Sequence, residues 1–312
     1  MKLTYISLII IVLLISGCST IQFKNLVRDL PGMPQFNQEI TSKSGYIGYS
    51  SSFKGPDIII RSPYTKVLFN LPMEIYIVVQ NKGEAPASGS VCIQGLDETF
   101  EGYNGCECQS IDIYGYRAQK NSIPELGGEE HLKFGPFTPK NKDITSHTLS
   151  TETRFDYYTR AKLNYCLKEN IYSSEGCQIA GEKMISPASA GPLRITSISE
   201  QITPSKSNAL NVVFTISVTD SGDGLVISHE ENIIDCKPSI GEAKISVRMY
   251  NAPGSAPEIS CSPIIMKDKK SGTSICKIED VPPADLSDES IIELKYAYQI
   301  VKNQKFDIIN VE

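Results

Sequence analysis

The sequence contains no tryptophan and only three histidines, and both shortages limit what the protein can do. Antibody-type domains bury a Trp beside the disulfide that joins their sheets, so this chain departs from that type. His131 and His229 each lack the second histidine of a zinc-binding helix, and His147 lies in a polar segment. No Gly-x-Ser-x-Gly elbow and no phosphate-binding glycine loop occurs. These absences predict a protein that is not an enzyme.

Positive charge is also scarce, because the net charge is -6 at pH 7. Affinity for nucleic acids comes chiefly from Lys and Arg side chains that neutralise phosphates, so a nucleic-acid partner is not expected. No Asn begins an Asn-x-Ser/Thr triplet, which argues against N-glycosylation. No window of the sequence has a convincing helical period.

The one long apolar run lies at the N-terminus, and it ends close to Cys18. Lys2, the apolar residues 3–15 and the small pair Ser16-Gly17 have the order of a secretory signal. Together with Cys18 they resemble the lipobox of prokaryotic lipoproteins, with Ile15 in place of the commoner Leu. The resemblance implies a signal peptide over residues 1–17 and a lipid on Cys18. An uncleaved signal anchor and ordinary secretion are the alternatives, and all three export the rest of the chain.

Removing Cys18 from the nine cysteines leaves an even number, as expected for disulfides in an exported protein. Eight cysteines allow 105 complete sets of disulfide pairs, and only local geometry reduces the number of sets to consider. Two short loops predict the pairs Cys166–Cys177 and Cys261–Cys276. Among the other four, we expect Cys92 to pair with Cys106 or Cys108, and Cys236 to pair with the one left over.

Neither of two possible metal sites is convincing in the sequence. Cys106-x-Cys108 with His131 lacks the spacing of zinc ligands, and no second pair follows. The segment 220–224 has glycines where an EF-hand loop needs acids or amides, so a turn between strands is preferred over a weak calcium site. We therefore expect no metal and no cofactor.

Apolar and polar residues alternate along much of the chain, as in half-buried strands. The clearest run is 210–219, and the longest is 154–167. Glycine-rich and asparagine-rich turns separate such runs. The pattern predicts an all-β fold of antiparallel sandwiches.

The small, proline-bounded segment 186–192 is predicted to link two domains, at residues 56–187 and 192–312, after a tether over residues 18–55. Both halves contain a strand that ends in Asn or Asp before a Gly, at Asn81-Lys82-Gly83 and Asp220-Ser221-Gly222. This suggests a duplicated module. The two segments resemble the CARDB-like and related Ig-like modules of prokaryotic (bacterial or archaeal) cell-surface proteins. The resemblance implies two Ig-like β-sandwich domains.

The tyrosines offer the only candidate for a ligand surface. Of the neighbours Tyr157 and Tyr158, only the one that points outward from its strand can be exposed, and we expect this to be Tyr158. The sequence thus predicts a lipid-anchored protein on the extracytoplasmic face of the cell membrane, with a structural or adhesive role and another envelope protein as partner. A lipoprotein that binds a glycan or peptide is the alternative, and a secreted hydrolase or redox enzyme is less favoured.

Overall fold

The computed structural model describes residues 55–310 apart from 62–64, 97, 116–126, 142–145, 169, 171, 174, 180, 184, 186–187, 206–208, 228–235, 237–242, 252–258, 267–269 and 283–285. The described residues fall within one structural unit, Gly45–Glu312. The predicted signal peptide, the lipidation site Cys18 and the tether up to residue 54 lie outside the described residues.

The fold is all-β, as the sequence predicts, and the described residues form strands and no helix. None of them belongs to a helix with the length and hydropathy that a membrane span needs. The strands of the N-terminal half are β1 (Pro56–Ile60), β2 (Lys66–Leu68), β3 (Met73–Asn81), β4 (Ala87–Gln94), β5 (Phe100–Glu101), β6 (Glu107–Ile113), β7 (Glu129–Pro139), β8 (Ser146–Leu167) and β9 (Gly181–Glu182). Those of the C-terminal half are β10 (Leu193–Pro204), β11 (Leu210–Asp220), β12 (Leu225–Ile227), β13 (Lys244–Asn251), β14 (Ser260–Cys261), β15 (Ile264–Ile265), β16 (Ser271–Val281) and β17 (Leu286–Ile309).

Three sheets contain these strands. A 4-stranded sheet has the order β1-β3-β7-β5, and a 5-stranded sheet has the order β14-β16-β11-β10-β9. The third sheet has 8 strands, with β15-β13-β17-β8-β4-β6 as its main path and with β2 and β12 paired to β17. All pairings are antiparallel except that of β2 with β17.

Two long strands run through the large sheet from one half to the other. β8 has 22 residues and β17 has 24, and they pair continuously from Leu167↔Leu286 to Ser146↔Asp307. Successive side chains of a strand point to opposite faces, and the odd-numbered positions of β8 point into the core.

The two smaller sheets cover the same face of the large sheet. In the N-terminal half, the ring of Phe100 in β5 packs on His147 of β8. In the C-terminal half, the ring of Phe214 in β11 packs on Tyr165 of β8. His147 and Tyr165 are both odd-numbered, so both contacts lie on one side of β8. Each half therefore consists of two sheets packed face to face. One apolar core continues through both halves.

This arrangement changes the meaning of the predicted linker at 186–192. Residues 300–307 belong to the second domain by sequence, yet they pair with 146–153 in the N-terminal half. The described part of the linker is also held in place: Ser189 N–H donates to the carbonyl of Arg160, and the carbonyl of Ala190 accepts from Glu84 N–H. The two halves thus share a sheet and are not joined by the linker alone.

The register of the strands repeats from one half to the other. Asn81 at the end of β3 lies opposite Pro56, and Asp220 at the end of β11 lies opposite Leu193. The order β1-β3-β7 is repeated by β10-β11-β16, and the pair β4-β8 is repeated by β13-β17. The Asn-x-Gly and Asp-x-Gly turns that suggested a duplication occupy equivalent places.

Candidate functional site

The outer face of the large sheet carries a basic and aromatic surface in the C-terminal half. There β8, β17 and β13 lie side by side. Most of the side chains that point away from the core there are polar or aromatic, and the apolar residues beside them in the sequence point into the core. We define the basic face as Tyr158, Arg160 and Lys162 of β8, Glu293 and Lys295 of β17, and Arg248 and Tyr250 of β13.

Glu293 lies at the centre of the basic face, directly opposite Arg160 on one side and Arg248 on the other. Arg160 donates to Glu293 Oε2 from Nε at 2.7 Å and approaches the same oxygen with Nη2 at 2.6 Å. Burial opposes the charge of Arg160, but these bonds and the charge of Glu293 outweigh burial and raise the pKa of Arg160. The arrangement keeps Arg160 in one position.

Arg160 also covers the predicted ligand residue. Its guanidinium carbon lies 4.5 Å from the centre of the Tyr158 ring, which is the geometry of a cation–π contact. Tyr157 is buried and Tyr158 is half-buried, so Tyr158 is the outward member of the pair, as expected from the alternation. Tyr158 is nevertheless packed against the core and under Arg160, and it offers a ligand only part of its ring.

Tyr250 is the aromatic residue of the basic face that the sequence reasoning missed. Its side chain is 38% exposed, and it lies in β13 two residues beyond the exposed Arg248. The alternation in the sequence could have identified Tyr250. Val247 and Met249 are apolar and point inward, so the even-numbered positions beside them must point outward. We therefore regard Tyr250 as the better ligand candidate.

The charges of the basic face do not balance. Glu293 is shared by Arg160 and, at 3.9 Å, by Lys295, while Lys162 pairs with Glu289 at 2.7 Å. Even when Glu289 is counted with Glu293, the four basic side chains of the face outnumber the two acidic ones, in a chain whose net charge is -6. Such a local excess of positive charge beside aromatic rings suits an anionic partner.

The histidines do not form a catalytic group in the described part of the chain. His131 is exposed, and its Nε2 lies 2.9 Å from Glu129 Oε1. His147 is buried between the rings of Phe100 and Phe306, and its Nε2 has no hydrogen-bond partner there. His229 lies outside the described residues.

The eight cysteines beyond Cys18 come together in four disulfide-capable pairs. Two are the local pairs expected from the loops, and the other two resolve the choice that the sequence left open. The pairs are Cys92–Cys108, Cys106–Cys236, Cys166–Cys177 and Cys261–Cys276. The sulfurs of Cys92, Cys106, Cys108 and Cys236 also lie close enough together to hold a metal ion.

A row of tyrosine hydroxyls in the core ties loops of both halves to the long strands. We call Tyr157, Tyr296 and Tyr298 the tyrosine seam. Tyr157 donates to the carbonyl of Ala190 at 3.1 Å and accepts from Ala85 N–H at 3.3 Å. Gly83 lies so close to the Tyr157 hydroxyl that a Cβ there would collide with it. The turn at 81–83 therefore needs its glycine.

The second turn meets the seam in the same way. Tyr298 donates to Asp220 Oδ1 at 3.0 Å, and the same oxygen accepts from Gly222 N–H at 2.9 Å. Asp220 thus closes a turn between strands, the preferred interpretation of this segment. Burial raises the pKa of Asp220 although both hydrogen bonds oppose the rise.

One carboxyl group beside the seam is poorly satisfied. Glu84 Oε1 is buried and has no hydrogen-bond partner among the described residues. Burial raises the pKa of Glu84 to about 7, although a hydrogen bond from the backbone of Ala190 acts in the opposite direction. The group therefore changes its charge near neutral pH.

No protein-family model matches the chain, and no curated protein matches it either.

Proposed function

We propose that the protein is a non-catalytic envelope protein with two Ig-like β-sandwich modules, held on the extracytoplasmic face of the membrane by lipid on Cys18. Its role is structural or adhesive, and its basic face contacts an acidic surface of another envelope protein. The observation that carries the proposal is the arrangement of Arg248, Lys295 and Tyr250 around the fixed Arg160–Glu293 pair.

The composition of the basic face favours binding to a partner over contact with solvent alone. Tyr and Arg are enriched where proteins bind one another, because they combine large contact area with directed polar groups. Tyr250 is exposed, whereas the Arg160–Glu293 pair is largely fixed in advance. Ordering fewer side chains on binding reduces the entropy cost of association. An acidic glycan is the second candidate, and it would use the same charges.

Photo-crosslinking on intact cells tests the proposal. A photoactivatable phenylalanine analogue at position 250 should crosslink to one envelope protein, and the same analogue at Tyr76 should not. Tyr76 is the control because it is 39% exposed and lies in the 4-stranded sheet. A product that is sensitive to glycosidases would favour the glycan, and equal products from both positions would contradict the proposal.

Charge reversal on the basic face should weaken the same contact. We expect Lys295→Glu and Arg248→Glu each to lower the crosslinking yield about fivefold, since a peripheral ion pair contributes up to about 1 kcal/mol. Lys305→Glu is the matched control, because it makes the same charge change on the same strand and face but in the N-terminal half. An equal loss in the control would mean that the basic face is not the contact.

The membrane anchor needs a separate test. Cys18→Ala should release the chain from the membrane fraction or leave the signal peptide attached, because the lipid attachment atom is lost. Cell fractionation and intact mass spectrometry measure both outcomes. Unchanged fractionation together with an unprocessed N-terminus in the wild type would instead favour an uncleaved signal anchor.

A further inference from the structure

Four cysteine sulfurs from three segments of the chain meet at one place. Cys92 of β4 lies directly opposite Cys108 of β6, and Cys106 lies just before β6. Cys236 comes from the C-terminal half and pairs with Cys106. All four Sγ atoms lie within 4.8 Å of one another. We call these residues the four-cysteine cluster.

Two disulfides do not by themselves require this convergence. Each needs only its own two sulfurs to meet, yet Cys108 Sγ also lies 3.2 Å from Cys236 Sγ and 3.9 Å from Cys106 Sγ, across the two pairs. A tetrahedral zinc ion with Zn–S bonds of about 2.3 Å holds its sulfurs about 3.8 Å apart. The distances between the pairs fall on both sides of that value. Once the two S–S bonds are broken, the sulfurs within each pair must move apart to about the same distance to complete a tetrahedron.

Strand geometry explains why the sequence spacing looked unsuitable for a metal. A gap of two to four residues suits ligands on a tight turn, but residues i and i+2 of an extended segment point to the same side. Cys106-x-Cys108 therefore presents two sulfurs in one direction. The remaining ligands come from Cys92 on the neighbouring strand, 16 residues before Cys108, and from Cys236, 130 residues after Cys106. His131, the ligand considered from sequence, instead contacts Glu129.

The ligand set defines the class of ion. Four thiolates select soft or borderline ions such as zinc, whereas calcium and magnesium prefer oxygen ligands. Cys92 is buried, and Cys106, Cys108 and Cys236 are half-buried. The cluster is therefore shielded on one side and open to an entering ion on the other.

We propose that the four-cysteine cluster binds one zinc-class ion when its two disulfides are reduced. Reduction by a phosphine gives four thiols and two phosphine oxides, whose oxygens come from two water molecules. Zinc then replaces the four thiol protons, which pass to solvent, and four Zn–S bonds form. Cys236 is thus held to β4 and β6 in either redox state, by disulfides or by the metal.

Metal titration of the full-length chain in detergent tests the proposal. After phosphine reduction and removal of excess reagent, Zn²⁺ alone is added, and bound metal is counted by elemental mass spectrometry. We expect one zinc per chain, and Co²⁺ in its place should give the intense visible absorption of a tetrahedral thiolate site. Cys108→Ser and Cys236→Ser should each weaken binding by more than about 100-fold, since even outer-shell changes cost 10- to 100-fold.

The controls separate this site from other thiols and from unfolding. The double variant Cys261→Ser/Cys276→Ser removes a pair outside the cluster and should still bind one zinc. If the reduced chain loses its near-ultraviolet circular dichroism, zinc should restore it, because metal binding contributes directly to folding. The proposal is overturned if the reduced wild type binds no zinc, if Cys108→Ser binds it equally well, or if zinc fails to restore a lost fold. None of these results bears on the crosslinking from position 250.

Discussion

Replacing Phe306 with alanine is expected to destabilise the N-terminal half by about 3–5 kcal/mol, although Phe306 lies in the last strand of the chain. Its side chain is 4% exposed. The ring stacks on His147 with centroids 6.0 Å apart and meets Phe100 edge-on at 6.1 Å. Alanine would leave a cavity among core residues that come from strands some 150 to 200 positions earlier.

Amide hydrogen exchange of the folded protein shows which strands lose stability in the variant. Amides in β3 and β7 should exchange faster in Phe306→Ala, while those in β11 and β16 should change less. Val301→Ala is the control, because Val301 belongs to the same strand but is 49% exposed. Unchanged exchange in β3 and β7 would contradict the sharing of β17 between the halves. For the same reason, a fragment of residues 56–187 should not fold by itself.

The strands were predictable because their pattern is local. Alternation over 210–219 identifies β11, where buried and half-buried positions alternate without a break. The run 154–167 falls within β8, although the strand begins earlier, at Ser146. The missed segment 146–153 contains Ser and Thr at several positions, including the buried Thr151 and Thr153. Hydrophobicity alone therefore underestimated how far the strand extends.

The sharing of one sheet by both halves could not be predicted from the sequence. Which strands pair depends on contacts between distant segments, and neither β8 nor β17 carries a local mark of its partner. The same limit applies to the basic face. Alternation predicts that Tyr158 points outward, but only the register places Glu293 between Arg160 and Arg248.

The cysteines show the same division between local and distant information. Short loops were enough to predict Cys166–Cys177 and Cys261–Cys276. The choice between Cys106 and Cys108 stayed open because residues two apart on an extended chain point the same way. Their convergence with Cys236 needed the fold.

The duplicated turns explain why a titratable group lies inside the fold. Equivalent strand ends in the two halves bring the turns at 81–83 and 220–222 to the tyrosine seam. Glu84 follows the first turn directly, and its backbone N–H is bonded to the carbonyl of Ala190 in the connecting segment. The path of the backbone therefore places its side chain in a largely buried position.

The stability of the protein is expected to fall as the pH rises from about 4.5 to about 7, and Glu84→Gln should remove much of that fall. Glu84 has a pKa of about 7 in the folded chain against an ordinary value of 4.5. A raised carboxyl pKa means that the folded state holds the proton more tightly than the unfolded state does. The favourable contribution is therefore complete below about pH 4.5 and is lost as the pH rises to about 7. At about 1.4 kcal/mol per pKa unit, the loss is about 3 kcal/mol.

Denaturant unfolding at a series of pH values measures this loss. Glu84→Gln keeps the shape of the side chain but cannot ionise, so the variant should match the wild type near pH 4 and exceed its stability by up to about 3 kcal/mol at pH 8. Glu101→Gln is the control, because this carboxylate has a side chain that is 69% exposed. Asp220 also has a raised pKa and is unchanged in both variants, so part of the slope should persist. If Glu84→Gln and wild type keep parallel profiles from pH 4 to pH 8, Glu84 is ionised within the fold and the seam tolerates its charge.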